Sequence, residues 1–331
     1  MNQEISKRRV EIKRAKPEPE ASRLDNAARA GWLYYIAGNS QDEIAQKLRV
    51  SRQTAQRLIA LSVSEKLIKV RLDHPIAHCL DLSQRLKQRF GVGLCEVVPS
   101  DPDSAAGNPG IAQAAAAELE RWFESPHSLI VAVGSGRTMR ATVDQLASMD
   151  CPQHKIVSLV GNIAPDGSAS FYDVVVRMSD AVRAPHYPMP LPVIATTIHE
   201  KNLLLGQKAI NNVVDLARQA DATFVGIGHL GETGPLLQDG FVSRDEMRAL
   251  AKAGAVGEIV GWAFDAEGAL IDGLTNDRVT SVRLDRAPAR PVIAVVLGDA
   301  KIAAVRGALR GQLINGLITD ELMAEHLLAP A

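Results

Sequence analysis

Residues 40–58 read Ser40-Gln-Asp-Glu-Ile-Ala-Gln-Lys-Leu-Arg-Val-Ser51-Arg-Gln-Thr-Ala-Gln-Arg-Leu58, and this stretch decides how the amino-terminal part of the chain folds. Ser40, with Glu43 three residues later, is the sequence pattern of a capping box at the start of a helix. Ser51 is placed to cap a second helix, and apolar residues at i, i+3 and i+4 spacing follow both caps. The stretch therefore predicts a helix-turn-helix.

The start of the second helix carries polar side chains that the apolar pattern leaves outside the core. The candidate DNA-contacting residues are Ser51, Arg52, Gln53, Thr54, Gln56 and Arg57. Guanidinium and amide groups at the start of a helix can read base edges in a major groove. The alternative is an ordinary antiparallel helix pair with a solvated polar face. We favour DNA binding because the turn, the caps and the polar side chains agree.

The segments on either side extend this unit to residues 23–75, a predicted DNA-binding domain. A helix starting at Asp25 or Asn26 precedes the motif, and the alternation in 67–72 predicts a small β-wing. Lys69 and Arg71 in this wing could contact phosphates, although the solubility of an edge strand also explains them. Residues 1–22, rich in Lys, Arg, Glu and Pro, are predicted to be a disordered tail.

The composition limits the classes of protein to which the chain can belong. It has 331 residues, 46% of them hydrophobic, which is enough for a second domain with its own core. No apolar run reaches the roughly 20 residues of a membrane span, and the first residues lack the apolar core of a signal peptide. We therefore expect a cytoplasmic protein that does not interact with membranes. The three scattered cysteines predict neither disulfides nor a metal site.

Charge is unevenly distributed along the chain. Residues 1–75 hold 15 Lys and Arg against 9 Asp and Glu, whereas the remainder holds 22 against 29. The first part is therefore basic by +6 and the rest acidic by −7, although the whole chain carries only −1. A basic end on an acidic body suits a protein that places that end on a polyanion.

Residues 76–331 are predicted to be one doubly wound, Rossmann-like α/β domain, with the boundary at His74-Pro75. Short β-branched runs alternate with helical segments, which indicates a parallel sheet covered on both faces. The predicted strands are 94–98, 128–133, 155–160, 222–227 and 291–296. A helix is predicted over 76–90, and another over Thr138 to Met149.

The turn Gly134-Ser135-Gly136-Arg137-Thr138 follows one of these strands and is the main candidate for a ligand site. Ligands of open α/β sheets bind at the carboxyl ends of strands, and glycines let the backbone approach an anion or sugar hydroxyls. The turn is neither a Walker loop nor a dinucleotide fingerprint, because Met139 stands where the third glycine belongs. The alternative is a glycine-rich turn without a ligand.

Further candidate effector residues are Gly228, Lys301 and Asp265, which follow other apolar segments, and Arg183 in Asp180-Ala-Val-Arg-Ala-Pro. A surface lysine is an equally good interpretation of Lys301, and structural roles are better interpretations of Asp265 and Arg183. The usual catalytic patterns, His-Glu-x-x-His and Gly-x-Ser-x-Gly, are absent. We therefore expect no enzymatic activity, no cofactor and no metal.

With these motifs in view, the chain resembles the SorC family of sugar-responsive bacterial transcriptional regulators. The most specific stretch is 301–321, Lys-Ile-Ala-Ala-Val-Arg-Gly-Ala-Leu-Arg-Gly-Gln-Leu-Ile-Asn-Gly-Leu-Ile-Thr-Asp-Glu. Supporting matches are Ser158-Leu-Val-Gly-Asn162, Val225-Gly-Ile-Gly228, Val256-Gly-Glu-Ile-Val-Gly261 and Phe264-Asp265. The resemblance runs from about residue 25 to the end. It departs from the family pattern at Gly298-Asp299 and at Arg137.

The resemblance implies an effector domain related to sugar-phosphate isomerases such as glucosamine-6-phosphate deaminase. It implies a regulator of a carbohydrate or polyol operon whose effector is a sugar, a polyol or a sugar phosphate. It also implies a homo-oligomer, a dimer or tetramer, that binds double-stranded operator DNA. The alternatives are an isomerase or deaminase with a DNA-binding head, using Asp265 or Glu232 as acid or base, and an assembly protein.

Overall fold

The computed structural model describes residues 20–65, 67–68, 76–100, 109–170 and 174–330. The chain divides into two compact units, Met1–Asp73 and His74–Ala331. We call the first unit the head and the second the effector unit. No helix in the described ranges combines the length and apolar character that a bilayer crossing would need.

The head is helical and contains the helix-turn-helix. Its elements are α1 (Glu20–Gly31), a π-helical turn (Trp32–Ile36), α2 (Gln41–Leu48) and α3 (Arg52–Ser64). The capping box is confirmed, since the Ser40 amide donates to Glu43 Oε2 at 2.7 Å and the Glu43 amide donates to Ser40 Oγ at 3.3 Å. Ile44 and Ala55 are fully buried between the helices. Local caps and a small apolar core therefore hold α3 in place.

The first helix starts earlier than the sequence pattern indicated. It begins at Glu20 rather than at Asp25 or Asn26, so residues 20–22 are helical although they were predicted to belong to a disordered tail. The prediction relied on a capping side chain, whereas an acidic residue in the first turn and the helix formers that follow also stabilise a helix start. Residues 1–19 lie outside the described residues. So do Lys69, Arg71 and most of the predicted wing, of which only Leu67 and Ile68 are described.

The effector unit is built on a seven-stranded parallel sheet with strand order β1-β10-β9-β5-β2-β3-β4. A second sheet of three antiparallel strands has the order β6-β7-β8. The strands are β1 (Leu94–Val98), β2 (Ile130–Val133), β3 (Lys155–Ser158), β4 (His186–Tyr187), β5 (Ala222–Val225), β6 (Gly228–His229), β7 (Gly257–Ile259), β8 (Trp262–Phe264), β9 (Val292–Val295) and β10 (Gly316–Asp320). The doubly wound parallel fold is thus confirmed.

Helices cover both faces of the large sheet. The helices of the effector unit are α4 (Ala77–Phe90), α5 (Pro109–Phe123), α6 (Arg137–Val143), α7 (Val175–Val182), α8 (Ile198–Leu205), α9 (Lys208–Arg218), α10 (Pro235–Gln238), α11 (Arg244–Lys252), α12 (Ile302–Arg310) and α13 (Glu321–Leu328). Two separate core clusters result, because successive residues of each strand point to opposite faces. Ala132 belongs to the cluster under α4, α9, α12 and α13, and Val133 to the cluster under α5, α6 and α7.

Helix α6 is shorter than predicted, ending at Val143 instead of Met149. The backbone after Val143 forms hydrogen bonds with α5 and α7 instead of continuing the helix. The Ala147 amide donates to Glu120 Oε1 on α5 at 2.7 Å, and the Met149 amide donates to the Ala181 carbonyl on α7 at 2.9 Å. These long-range partners replace the i−4 carbonyls that would continue the helix.

The chain changes winding direction between β2 and β5, which are neighbours in the sheet. After β2 the chain passes to β3 on one side, whereas after β5 it reaches β9 on the other side by way of the small sheet. Two crossovers that leave neighbouring strands in opposite directions open a crevice at the carboxyl ends of those strands. The fold therefore predicts that a ligand site lies beside residues 134–138 and 226–229.

Candidate functional site

The start of α3 presents the polar surface expected of a recognition helix. Arg52, Gln53, Gln56 and Arg57 are exposed, while Ala55 and Ile59 on the opposite side are buried. Arg52 Nε lies 3.5 Å from Asp42 Oδ1 on α2, and both side chains are largely exposed. An exposed pair of this kind contributes little stability, so Arg52 can be redirected to another partner at small cost.

Ser51 and Thr54 have a structural role in the same helix. Ser51 Oγ accepts a hydrogen bond from the Thr54 amide at 3.1 Å and shares a second one with Thr54 Oγ1 at 2.8 Å. Both hydroxyls are therefore used to cap α3. Of the six residues predicted from this helix, the four long side chains are the ones placed to reach an external partner.

A cleft of about 230 Å³ lies at the crevice between the carboxyl ends of β2 and β5. It is lined by polar and apolar groups from both strand ends, from the small sheet and from the turn before α12. The lining residues are Ser135, Gly136, Arg137, Thr138, Met139, Val160, Ser170, Val193, Gly226, Ile227, Gly228, His229, Pro235, Leu236, Asp239, Phe241, Glu258, Val260, Gly261 and Lys301. Most of the predicted effector residues thus come together in one place.

The loop after β2 forms one wall of the cleft. Gly136 has φ of 114°, a conformation that favours glycine, and it precedes the first residue of α6. A Cβ on Gly134 would lie 3.3 Å from Val260 Cγ1, so this glycine allows the loop to pack closely under the small sheet. Ser135 and Thr138 line the cleft beside these glycines.

Arg137 forms an ion pair with Asp239, the residue that follows α10. Its Nη2 donates to Asp239 Oδ1 at 3.0 Å, and the Asp239 side chain is 23% exposed against 56% for Arg137. Two lining segments that are 102 positions apart in sequence are linked by this contact. Asp239 was not among the predicted residues, because nothing in the local pattern around it signals a partner so distant in the chain.

Glu258 and Lys301 are the other two charged residues of the lining. Glu258 Oε2 accepts a hydrogen bond from the Gly261 amide at 2.7 Å. Burial raises the pKa of Glu258, and the Gly261 hydrogen bond and the charge of Lys301 oppose this shift. Burial also lowers the pKa of Lys301, against the attraction of Glu258, and the charge of Arg137 lowers it further. Lys301 was predicted, and Glu258 was not.

Gly228 is required by the position of the Glu258 carboxylate. The two residues are paired in register between β6 and β7, and a Cβ on Gly228 would lie 2.0 Å from Glu258 Oε1. No side chain fits there unless Glu258 moves. Gly228 therefore contributes to the cleft by leaving room for the Glu258 side chain, which lines it.

His229 follows Gly228 and lies at the edge of the same cleft. Its Nε2 is 3.1 Å from Thr233 Oγ1, while the buried Nδ1 has no hydrogen-bond partner among the residues that the structure describes. Burial and the nearby positive charge of Lys301 lower the pKa of His229. The imidazole is therefore neutral at physiological pH.

Two predicted effector residues lie away from the cleft. Arg183 is exposed at the end of α7, three residues before β4 begins, which places it at the amino edge of the sheet. Asp265 Oδ1 accepts hydrogen bonds from the amides of Glu267 and Ala269 at 3.0 and 2.8 Å in the turn after β8. Structural roles are the better interpretation of both residues from their spacing, and the direction of the strands and the local turn determine where they lie.

The cleft does not contain the acid or base proposed for an isomerase. Asp265 is engaged in its turn, and Glu232 is 74% exposed beside Arg244. Across the described parts of the chain, no group of three or more His, Cys, Asp or Glu side chains could hold a metal ion.

The comparison with protein families agrees with this two-part architecture, a helix-turn-helix head and an α/β sensor domain. Residues 74–329 match the Sugar-bind family model, which describes a sugar-binding domain. The erythritol catabolism regulatory protein EryD of Brucella abortus is 31% identical over 302 residues, covering 91% of this chain and 96% of that protein. The transcriptional regulator LsrR of an Enterobacter species is 30% identical over 312 residues, covering 92% and 93%.

Solved structures show the same fold. The full-length sorbitol operon regulator SorC from Klebsiella pneumoniae covers 95% of this chain and 100% of its own, with a TM-score of 0.71 and 23% identity. A probable sor operon regulator from Shigella flexneri covers 76% of this chain with a TM-score of 0.67 and 25% identity. The chain belongs to the SorC family of sugar-binding transcriptional regulators.

Proposed function

We propose that this regulator binds operator DNA through α3 and controls a carbohydrate or polyol uptake and catabolism operon in response to a small polyhydroxylated effector. The observation that carries the proposal is the cleft at the switch point of the sheet, where hydroxyl, guanidinium, ammonium and carboxylate groups converge. Several polar groups in one small concave site are typical of a ligand pocket. The relatives named for erythritol catabolism and for the sorbitol operon support this class of effector.

In the DNA complex, α3 lies in the major groove. Arg52, Gln53 and Arg57 contact bases, and Lys69 and Arg71 contact phosphates on the flanking backbone. The active species is a homo-oligomer, a dimer or tetramer, whose heads bind half-sites about 10 base pairs apart or a multiple of that distance. We place the protein in the cytoplasm, where operator DNA is accessible.

In the effector unit, Ser135 and Thr138 form hydrogen bonds with hydroxyl groups of the effector. The charged side chains of Arg137, Glu258 and Lys301 fix the orientation of the effector. The effector acts by binding one arrangement of the oligomer more tightly than another, because a ligand shifts an equilibrium only through such a difference. The protein binds the effector without converting it, which the relatives named as regulators support.

The test measures binding of the purified full-length chain to fragments of its own promoter region, with fluorescence anisotropy as the readout. We expect sequence-specific binding that changes when sugars, polyols or their phosphates are added one at a time. Arg137→Ala and Lys301→Ala are expected to abolish this response while operator binding persists. Binding that never responds to any of these compounds, or that is equally tight on random DNA, would contradict the proposal.

Turnover is measured in parallel with the same compounds. We expect none of them to be isomerised or deaminated. Conversion of a hexose or pentose phosphate by the purified chain would show that the effector unit is an enzyme.

A further inference from the structure

The formal charges of the residues that line the cleft sum to zero. Among its lining residues, Arg137 and Lys301 are cationic, Asp239 and Glu258 are acidic, and His229 is neutral. The formal charge of the lining is therefore zero. A site for a phosphate dianion usually offers cations in excess, because the charge of the anion must be compensated once water is removed.

The first cation already has an acidic partner at the mouth of the cleft. Arg137 Nη2 is 3.0 Å from Asp239 Oδ1, and Asp239 is the more buried of the two. A phosphate that approached Arg137 would also approach this carboxylate. Like charges brought together at a binding site oppose binding strongly. Arg137 can still donate hydrogen bonds to an uncharged hydroxyl, which does not meet this repulsion.

The second cation, Lys301, shares the lining with Glu258, and each charge opposes the effect of burial on the pKa of the other. Burial shifts both groups towards their neutral forms, raising the pKa of Glu258 and lowering the pKa of Lys301. One positive and one negative formal charge sum to zero, so these two residues also supply no excess positive charge.

Helix α6, which follows the loop, adds little to the positive electrostatic potential in the cleft. Helix α6 has only seven residues, and its first amides, which no side chain caps, can donate to a hydroxyl as well as to an anion. The longer helix expected from the sequence would have aligned more peptide dipoles towards the cleft. Residues 134–138 therefore provide less stabilisation for an anion than the longer predicted helix would.

We infer that the effector is an uncharged polyhydroxylated molecule, a polyol or unphosphorylated sugar, and that the Arg137–Asp239 pair selects against its phosphorylated form. This inference rests on the proposed function of the cleft as the effector site. A hydroxyl both donates and accepts hydrogen bonds. A lining that offers donors such as Arg137 and Lys301 together with acceptors such as Asp239 and Glu258 suits a molecule with several hydroxyls.

The first test compares matched pairs on the full-length protein by thermal unfolding: erythritol with erythritol 4-phosphate, and sorbitol with sorbitol 6-phosphate, with further polyol and sugar pairs and inorganic phosphate. We expect at least one neutral compound to raise the unfolding midpoint, by roughly 5–10 °C at about 100 times its Kd. Its phosphate and inorganic phosphate should give no comparable rise. A larger rise with the phosphorylated member of a pair would overturn the inference and leave the proposed function standing.

The second test removes the acidic partner of Arg137. Asp239→Asn is expected to bind glycerol 3-phosphate at least about tenfold more tightly than the wild type, as one charge-assisted hydrogen bond would allow. Adding Arg137→Ala to Asp239→Asn should abolish the gain. Asp272→Asn, which removes an exposed carboxylate outside the cleft lining, serves as the matched control and should change nothing.

The outcomes separate the two hypotheses. If Asp239→Asn leaves phosphate affinity unchanged while Arg137→Ala alone weakens it, Arg137 already serves an anion and the inference is wrong. If no sugar, polyol or phosphate alters the unfolding midpoint or operator binding of the wild type, the proposed function fails, and the inference fails with it.

Discussion

Gln53 is exposed at the second position of α3, and its side-chain amide can form two hydrogen bonds with one base. We expect Gln53→Ala to weaken operator binding by about 1–3 kcal/mol and to relax specificity at one base pair. The physical reason is the loss of a donor and acceptor that read a base edge. The measurement is competitive binding to the operator and to single-base variants of it.

Gln46→Ala is the matched control for Gln53. Gln46 is also an exposed glutamine, but it lies on α2 and outside the predicted set of base-contacting residues. It should leave base specificity unchanged. An equal loss on operator and random DNA in Gln53→Ala would show that Gln53 does not read bases.

Gly228 offers a test of the cleft that leaves the head untouched. We expect Gly228→Ala to abolish the effector response without reducing operator affinity, because the new Cβ would lie 2.0 Å from Glu258 Oε1 and displace that carboxylate. The measurement is operator release as a function of effector concentration. Gly93→Ala is the control, since its Cβ would meet only the Asn315 carbonyl at 3.9 Å. A normal response in Gly228→Ala would mean that Glu258 does not contact the effector.

At this scale, the sequence predicted residues that follow strands and missed those that come from distant segments. Lys301 and Gly228 follow apolar strands, and the position of a ligand site at strand ends is a general property of the fold. Asp239 and Glu258 lie in regions where local spacing signals nothing about a ligand. Their participation depends on the long-range packing of the small sheet and α10, which a single sequence does not reveal.

Among the elements of the head, α1 packs closely against α3. A Cβ on Gly31 would lie 2.4 Å from Ser62 Oγ and 2.7 Å from Ser62 Cβ. We expect Gly31→Ala to destabilise the head by a net 1–2 kcal/mol or so, because overpacking outweighs the gain in helix propensity. The measurement is chemical unfolding followed by a signal from Trp32.

The rescue variant for this contact is Gly31→Ala combined with Ser62→Gly. The double variant removes both Ser62 atoms that the new methyl group would meet. Its stability should therefore be close to that of Ser62→Gly alone, or higher. A double variant that loses as much as the two single variants together would show that the two helices do not meet at this point.

The elements themselves were predictable to different degrees. Strand β1 has its predicted bounds, and the other predicted strands differ by two residues or fewer at each end, because apolar β-branched runs mark buried strands clearly. Strand β10 was not predicted, although all five of its residues are buried. The shortened α6 and the extra strands of the small sheet depend on partners that are far away in sequence.

Over the whole molecule, residues 1–75 carry a net charge of +6 and the remainder a net charge of −7. Operator affinity should therefore fall steeply with salt, by a log–log slope of about 0.9 for each phosphate contact. We expect Lys69→Ala to weaken binding to all sequences equally and to reduce this slope by about 1 for each bound head. The measurement is operator affinity over a range of salt concentrations.

Lys252→Ala is the control for the salt series. It removes the same charge from an exposed site in the effector unit. Its slope should equal that of the wild type. If the Lys69→Ala slope also stays unchanged, the contact between the predicted wing and the phosphate backbone does not exist.

The fold class and the division into two units follow from patterns in the sequence, but the strand order does not. Alternation of strands and helices indicates a parallel sheet, yet many orders satisfy it. The order places β5 beside β2 and so creates the cleft. Residues 134–138 and 226–229 could be recognised separately, and only the topology shows that they share one site.

The crevice arises from the path of the main chain, so its existence does not depend on which side chains line it. Substitutions at Ser135, His229 or Asp239 leave the hydrogen-bonded ladder of β2 and β5 intact. Metabolite preference can therefore diverge within this scaffold by a few exchanges at the rim. For the same reason, a library confined to these rim positions is a direct route to biosensors for other small alcohols.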